Sequence, residues 1–159
     1  MRKTILFILL IGVISSSIFT AFYLHNKPKP RTTENSLVNI FNNNRSSFEL
    51  IANETSDMEG RFNLYYLDSK IDIVKYNDKA STPILSDDFK NYLKSFFEKQ
   101  KFKYIKINDI NEGSVSFVYD YTDSCEVSIV YLRNVSIVNK SSELIKIIDY
   151  WYIYLHQFE

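Results

Sequence analysis

The chain opens on a run of twenty residues without a charge, Ile5 to Leu24 (ILFILLIGVISSSIFTAFYL), apolar on every side of a helical projection. At 1.5 Å per residue such a helix is about 30 Å long, the thickness of a bilayer's hydrocarbon core. Phe22 and Tyr23 suit its interfacial end. The run predicts a transmembrane anchor over residues 1–25. The alternative is a secretory signal whose apolar core ends near Ile14 and which is cleaved after Ser17, where Ser15 and Ser17 supply small side chains. Arg2 and Lys3 ahead of the run favour an inside N-terminus, although Lys27, Lys29 and Arg31 pull the other way. The expected location is therefore a membrane, single-pass, with an extracytoplasmic C-terminal domain, or secretion if the signal is cleaved.

Residues 26–35 (NKPKPRTTEN) read as a juxtamembrane linker, because Pro28 and Pro30 stiffen it and oppose helix. Beyond it, residues 36–159 carry the periodicities of one small domain. Leu37, Phe41, Asn44, Phe48 and Ile51 recur at steps of four and three, predicting a helix from Ser36 to about Asn53 whose centre the Asn42-Asn43-Asn44 run weakens. Arg61 to Leu67 alternates instead, with Phe62, Leu64 and Tyr66 on one side and Arg61, Asn63 and Tyr65 on the other. Ile71 to Tyr76 follows after Asp68-Ser69-Lys70, so the two runs form a hairpin. A second helix is predicted over Ser86 to Gln100, capped by Ser86, with Asp87 and Asp88 at its positive end and Phe89, Leu93, Phe96 and Phe97 as its buried stripe.

Three further strands are expected at Lys103–Asn108, Ser114–Tyr121 and Cys125–Arg133. Val115, Phe117, Tyr119 and Tyr121 share one face, and Cys125, Val127, Ile129 and Tyr131 share the partner face. The segment from Glu143 to Phe158 fits either period. Its isoleucines and the run Tyr150-Trp151-Tyr152-Ile153-Tyr154 favour strands broken near Asp149. The fold class is thus α+β: an N-terminal transmembrane helix, then two helices packed on one antiparallel sheet, in the order α-β-β-α-β-β-β with a strand-rich C-terminus. That order resembles the curved α+β rolls of the nuclear-transport-factor and cystatin types, in arrangement and not in motif.

Composition sharpens this picture. The formal net charge is zero, but Arg2, Lys3, Lys27, Lys29 and Arg31 all flank the apolar run. Without them fourteen basic residues face nineteen acidic ones, so the domain carries a net charge of −5. Nucleic acid is therefore an unexpected partner, since its binders neutralise phosphates with Lys and Arg. Lys99, Lys101, Lys103 and Lys106, interleaved with Phe102 and Tyr104, read as a solvated edge. Cys125 is the only cysteine, so neither an internal disulfide nor a Cys-rich zinc site can form.

Candidate chemistry is sparse. His25 and His156 give no metal-ligand spacing. Cys125 activated by His156, a Ca²⁺ site at Asp120, Asp123 and Glu126, and acid/base work by Asp87 and Asp88 each have simpler explanations in burial, turn formation and helix capping. No catalytic residue, metal or cofactor is expected. The tyrosines stand out instead: Tyr65, Tyr121, Tyr131, Tyr150, Tyr152 and Tyr154 are available for an open aromatic sheet face, and Tyr65, Tyr150, Tyr152 and Tyr154, with His156, form the candidate binding surface, since Tyr supplies large rigid contact areas. The expectation is a membrane-anchored or exported accessory or inhibitor-type module, membrane-bound through residues 5–24, that takes a protein or peptide partner. The alternative is a small ligand-binding or enzymatic roll with a pocket between helices and sheet.

Overall fold

A computed structural model describes residues 34–76, 81–122, 125–134 and 143–157. The apolar run 5–24 and the linker up to residue 33 lie outside them. Among the described residues no helix is long and apolar enough to cross a membrane. Two helices and seven strands follow in the order α1 (Glu34–Thr55), β1 (Phe62–Leu67), β2 (Lys70–Lys75), α2 (Asp87–Gln100), β3 (Tyr104–Ile107), β4 (Val115–Thr122), β5 (Cys125–Tyr131), β6 (Glu143–Ile148) and β7 (Trp151–Gln157). Helix α1 starts two residues inside the expected linker, at Glu34, whose carboxylate suits a helix N-terminus.

The strands form one antiparallel sheet in the order β2-β1-β3-β4-β5-β7-β6. Asp68 and Ser69 both take positive φ, the two-residue turn that matches strand twist in a hairpin, and join β1 to β2. Strands β2 and β3 run parallel on either side of β1, which is why a helix, α2, has to connect them. Ser86 caps α2 by accepting the Phe89 N–H at 3.2 Å, and Lys101 closes it in the left-handed conformation. The C-terminal pair β6 and β7 turns at Asp149-Tyr150, the expected break.

Helix α1 bends at Asn44, whose φ of −131° leaves the helical region. The Asn44 side chain takes over the local bonding. Its Nδ2 donates to the Ile40 carbonyl at 2.8 Å, and its Oδ1 accepts from Gln100 Nε2 at 2.6 Å, tying the bend to the end of α2. Asn44 thus interrupts the apolar stripe it was expected to continue.

Aromatic rings fill the space between helices and sheet. Phe48 is fully buried at their centre, with ring centroids of Phe41, Phe96, Phe102, Phe117 and Trp151 all within 4.8–5.9 Å of its own. Leu64, Ile105, Ile107, Val127, Ile129 and Ile153 floor this core from the sheet. Two sequence expectations change here. A bulge between Val118 and Asp120 shifts the register of β4, so Tyr121 pairs with Glu126 and lies on the face away from the helices, not with Phe117 and Tyr119. Strand β3 is interior, between β1 and β4, so Lys106 belongs to no solvated edge and Phe102 is part of the core.

Truncating Phe48 removes the hub of this ring cluster. Phe48→Ala is expected to cost about 3–5 kcal/mol in urea denaturation followed by Trp151 fluorescence, against about 0.5 kcal/mol or less for Leu50→Ala on the exposed side of α1.

Candidate functional site

With the helices on one face, strand alternation sends Asn63, Tyr65, Tyr104, Lys106, Glu126, Tyr152, Tyr154 and His156 to the other. This helix-free face holds an ion pair between strands that are not neighbours. Lys106 on β3 and Glu126 on β5 are separated by β4, yet Lys106 Nζ lies 2.7 Å from Glu126 Oε2. The bridge passes over β4, whose outward Val118 is fully buried. Only 3% of the Glu126 side chain and 18% of the Lys106 side chain are exposed.

Other groups complete the cluster. Asp109 Oδ2 is 3.3 Å from the same ammonium, and its Oδ1 is 2.8 Å from Arg61 Nη2. Tyr104 donates its hydroxyl to Glu126 Oε2 at 3.3 Å, and its ring lies under the Lys106 ammonium at 5.9 Å. Asn63 Nδ2 donates to both Tyr65 Oη at 2.9 Å and Tyr76 Oη at 3.0 Å, and the Tyr65 and Tyr104 rings are 5.1 Å apart. Together with Tyr121 these side chains line an open cavity of about 530 Å³.

Electrostatics shift three groups of the cluster, Lys106, Tyr104 and Tyr76, away from titration near neutral pH. Burial pulls the Lys106 ammonium toward neutrality, but Glu126 and Asp109 outweigh it and leave its pKa above the ordinary lysine value. Burial, reinforced by the Glu126 charge, pushes the Tyr104 phenol far above the ordinary tyrosine value. Tyr76 is raised by its hydrogen bond with Tyr65 and then by burial. Both phenols therefore remain neutral hydrogen-bonding groups.

Of the five candidate surface residues, Tyr65 lines this cavity. Tyr152, Tyr154 and His156 share its face on β7; the His156 and Tyr154 rings stack at 5.6 Å, and His156 stands opposite Glu126 in the ladder. Tyr150 belongs elsewhere. It sits in the β6–β7 turn at a φ of +67°, a conformation in which a bulky residue is strained, with its ring 6.2 Å from Tyr131 on the helix side. The Cys125–His156 dyad does not form, because Cys125 belongs to the helix-side face and His156 to the other. Glu126, considered above with Asp120 and Asp123 for Ca²⁺, spends its carboxylate on Lys106 and Tyr104; Asp123 lies outside the described residues.

Sequence reading missed Arg61, Asn63, Tyr76, Tyr104, Lys106, Asp109 and Glu126 as residues of this surface. Alternation did place Arg61, Asn63 and Tyr65 away from the core, but the meeting of β3 and β5 side chains over β4 is a property of strand order. A second polar cavity, of about 750 Å³, lies at the strand ends. There Asn108 donates to the Met58 and Gly60 carbonyls at 2.7 and 2.8 Å, and Arg133 Nη1 meets Asp57 Oδ1 at 2.6 Å. No family model, no curated protein and no solved structure matches the chain.

Removing one member of the buried pair strands the other charge. Lys106→Met alone is expected to destabilise by about 3–5 kcal/mol, whereas Lys106→Met combined with Glu126→Leu recovers most of that loss. A double-mutant cycle from urea midpoints reads the difference, and purely additive losses would contradict a coupled pair.

Proposed function

We propose that the chain is a membrane-associated binding module, not an enzyme, and that it takes its ligand on the helix-free face of its sheet. The observation that carries this reading is the open cavity of about 530 Å³ walled by Tyr65, Tyr76, Tyr104 and Tyr121 around the Lys106–Glu126 pair. That volume falls within the range of about 300–1,000 Å³ common to small-molecule sites, and converging polar groups fix orientation in such sites. Phe48 and its neighbouring rings fill the centre of the interface between helices and sheet, which supports a binding surface on the opposite face. Membrane attachment rests on residues 5–24, and with it the proposal that the domain is extracytoplasmic.

Chemistry on the bound molecule is disfavoured by how the ionisable groups are engaged. Lys106 is held between two carboxylates, and Arg61 holds Asp109 through both side chain and backbone carbonyl. Lys106, Arg61, Asp109 and Glu126 are each held in an ion pair, which supports a binding role over a catalytic one. A protein or peptide partner, as in an inhibitor or immunity-type accessory, is the second reading. Leu67 at the end of β1, Val74 on the edge strand β2 and Tyr76 just beyond it favour it, being about half exposed near that edge of the sheet.

Photo-crosslinking in intact cells separates the ligand face from the rest. With p-benzoylphenylalanine replacing Tyr121, light is expected to yield a mass adduct on the chain, and with the same replacement at Tyr150 none. Equal adducts at both positions, or an adduct at Tyr150 alone, would sink the proposal.

A further inference from the structure

The cavity wall has a composition that selects among ligand classes. Four tyrosine rings supply its apolar surface, and no aliphatic side chain lines it among the described residues. An acyl chain or a Leu- or Val-rich segment would meet hydroxyls and charges where it needs hydrocarbon, and burying those polar groups without partners is costly. The two cations, Arg61 and Lys106, and the two carboxylates, Asp109 and Glu126, are already paired, so the wall has no net formal charge. A charged ligand would have to break one of these pairs. The strands under it, β1, β3, β4 and β5, are each paired on both sides, so an extended peptide lying in the cavity itself finds no free backbone edge to join.

A neutral ligand remains, flat and partly apolar on its faces and dense in hydroxyls around its rim. We infer that this cavity binds a neutral oligosaccharide, whose pyranose rings lie on the tyrosine rings while its hydroxyls meet the charged cluster. This identifies the ligand class of the binding face proposed above and rests on that reading. Hydroxyls suit such a wall because each can donate to a carboxylate and accept from an ammonium, guanidinium or phenol, and hydrogen bonds to ionised groups are the stronger kind. Tyr65 and Tyr104, packed on each other with ring centroids 5.1 Å apart, form one aromatic unit in the wall, and Tyr121, half exposed at the margin, offers a second ring. Asn63, holding the Tyr65 and Tyr76 hydroxyls at 2.9 and 3.0 Å, fixes two of these phenols before any ligand arrives.

Titration calorimetry on the full chain tests the inference, using micelles of a detergent without a sugar headgroup. The probes are the tetrasaccharides of β-linked glucose, α-linked glucose, β-linked mannose and β-linked N-acetylglucosamine. At least one is expected to bind saturably, with Tyr65→Ala and Tyr121→Ala each weakening it about tenfold, Tyr65→Phe weakening it less, and Tyr150→Ala leaving it unchanged. The inference is overturned if none binds up to about 10 mM, or if binding ignores both Tyr65 and Tyr121. A Tyr121 adduct in cells alongside four inert sugars would reject the saccharide and leave the binding face standing. Failure of both experiments would reject both.

Discussion

The packing of Phe48 against five other rings decides where this domain can do anything else. The centre of the interface between the two helices and the seven-stranded sheet is filled by interdigitated aromatic rings. Offset and edge-on ring pairs add about 0.5–1.5 kcal/mol each beyond the area they bury, so the interface is strongly held as well as full. Polar side chains that strand alternation places opposite this core have only the other face of the sheet on which to gather.

On that face the controlling interaction is the bridge from Lys106 to Glu126. It joins strands two apart in the sheet, and Asp109, Tyr104 and, through Asp109, Arg61 attach to it. A buried ion pair is weak support for stability, because desolvating two charges offsets much of their attraction. Its physical effect here is to fix positions: a single ammonium holds two carboxylates, and one of those holds the Tyr104 hydroxyl. The bulge in β4 serves the same end by turning Tyr121 outward toward Glu126. Core and cavity are thus two products of one alternation, with one irregularity that re-aims a tyrosine.

Most of the fold was legible in the sequence because its signals are local. Ser86 with Asp87 and Asp88 marked α2; Asp68-Ser69 marked the first hairpin; the aromatic run from Tyr150 to Tyr154 marked β7. The bulge was not legible, since a single extra residue leaves no trace in the run Val118-Tyr119-Asp120-Tyr121, and it moved Tyr121 to the other face. Of the candidate surface residues, Tyr65, Tyr152, Tyr154 and His156 share the helix-free face that alternation gave them and Tyr65 lines the cavity, while Tyr150 lies off that face because a turn ends the alternation on which it was counted. Lys106 was read as part of a solvated edge because strand order, set by pairings distant in sequence, put β3 in the interior. Glu126 looked like a turn residue until its partner two strands away was known.

Side-chain footprinting in intact cells tests the central claim most directly, namely the proposal that the helix-free face is the one in use. Tyrosine labelling by hydroxyl radicals would be compared, residue by residue, between the chain in cells and the purified chain. The account predicts that Tyr76 and Tyr121 label less in cells than after purification, while Tyr150 labels equally in both. Protection of Tyr150 with unchanged labelling of Tyr76 and Tyr121 would contradict it.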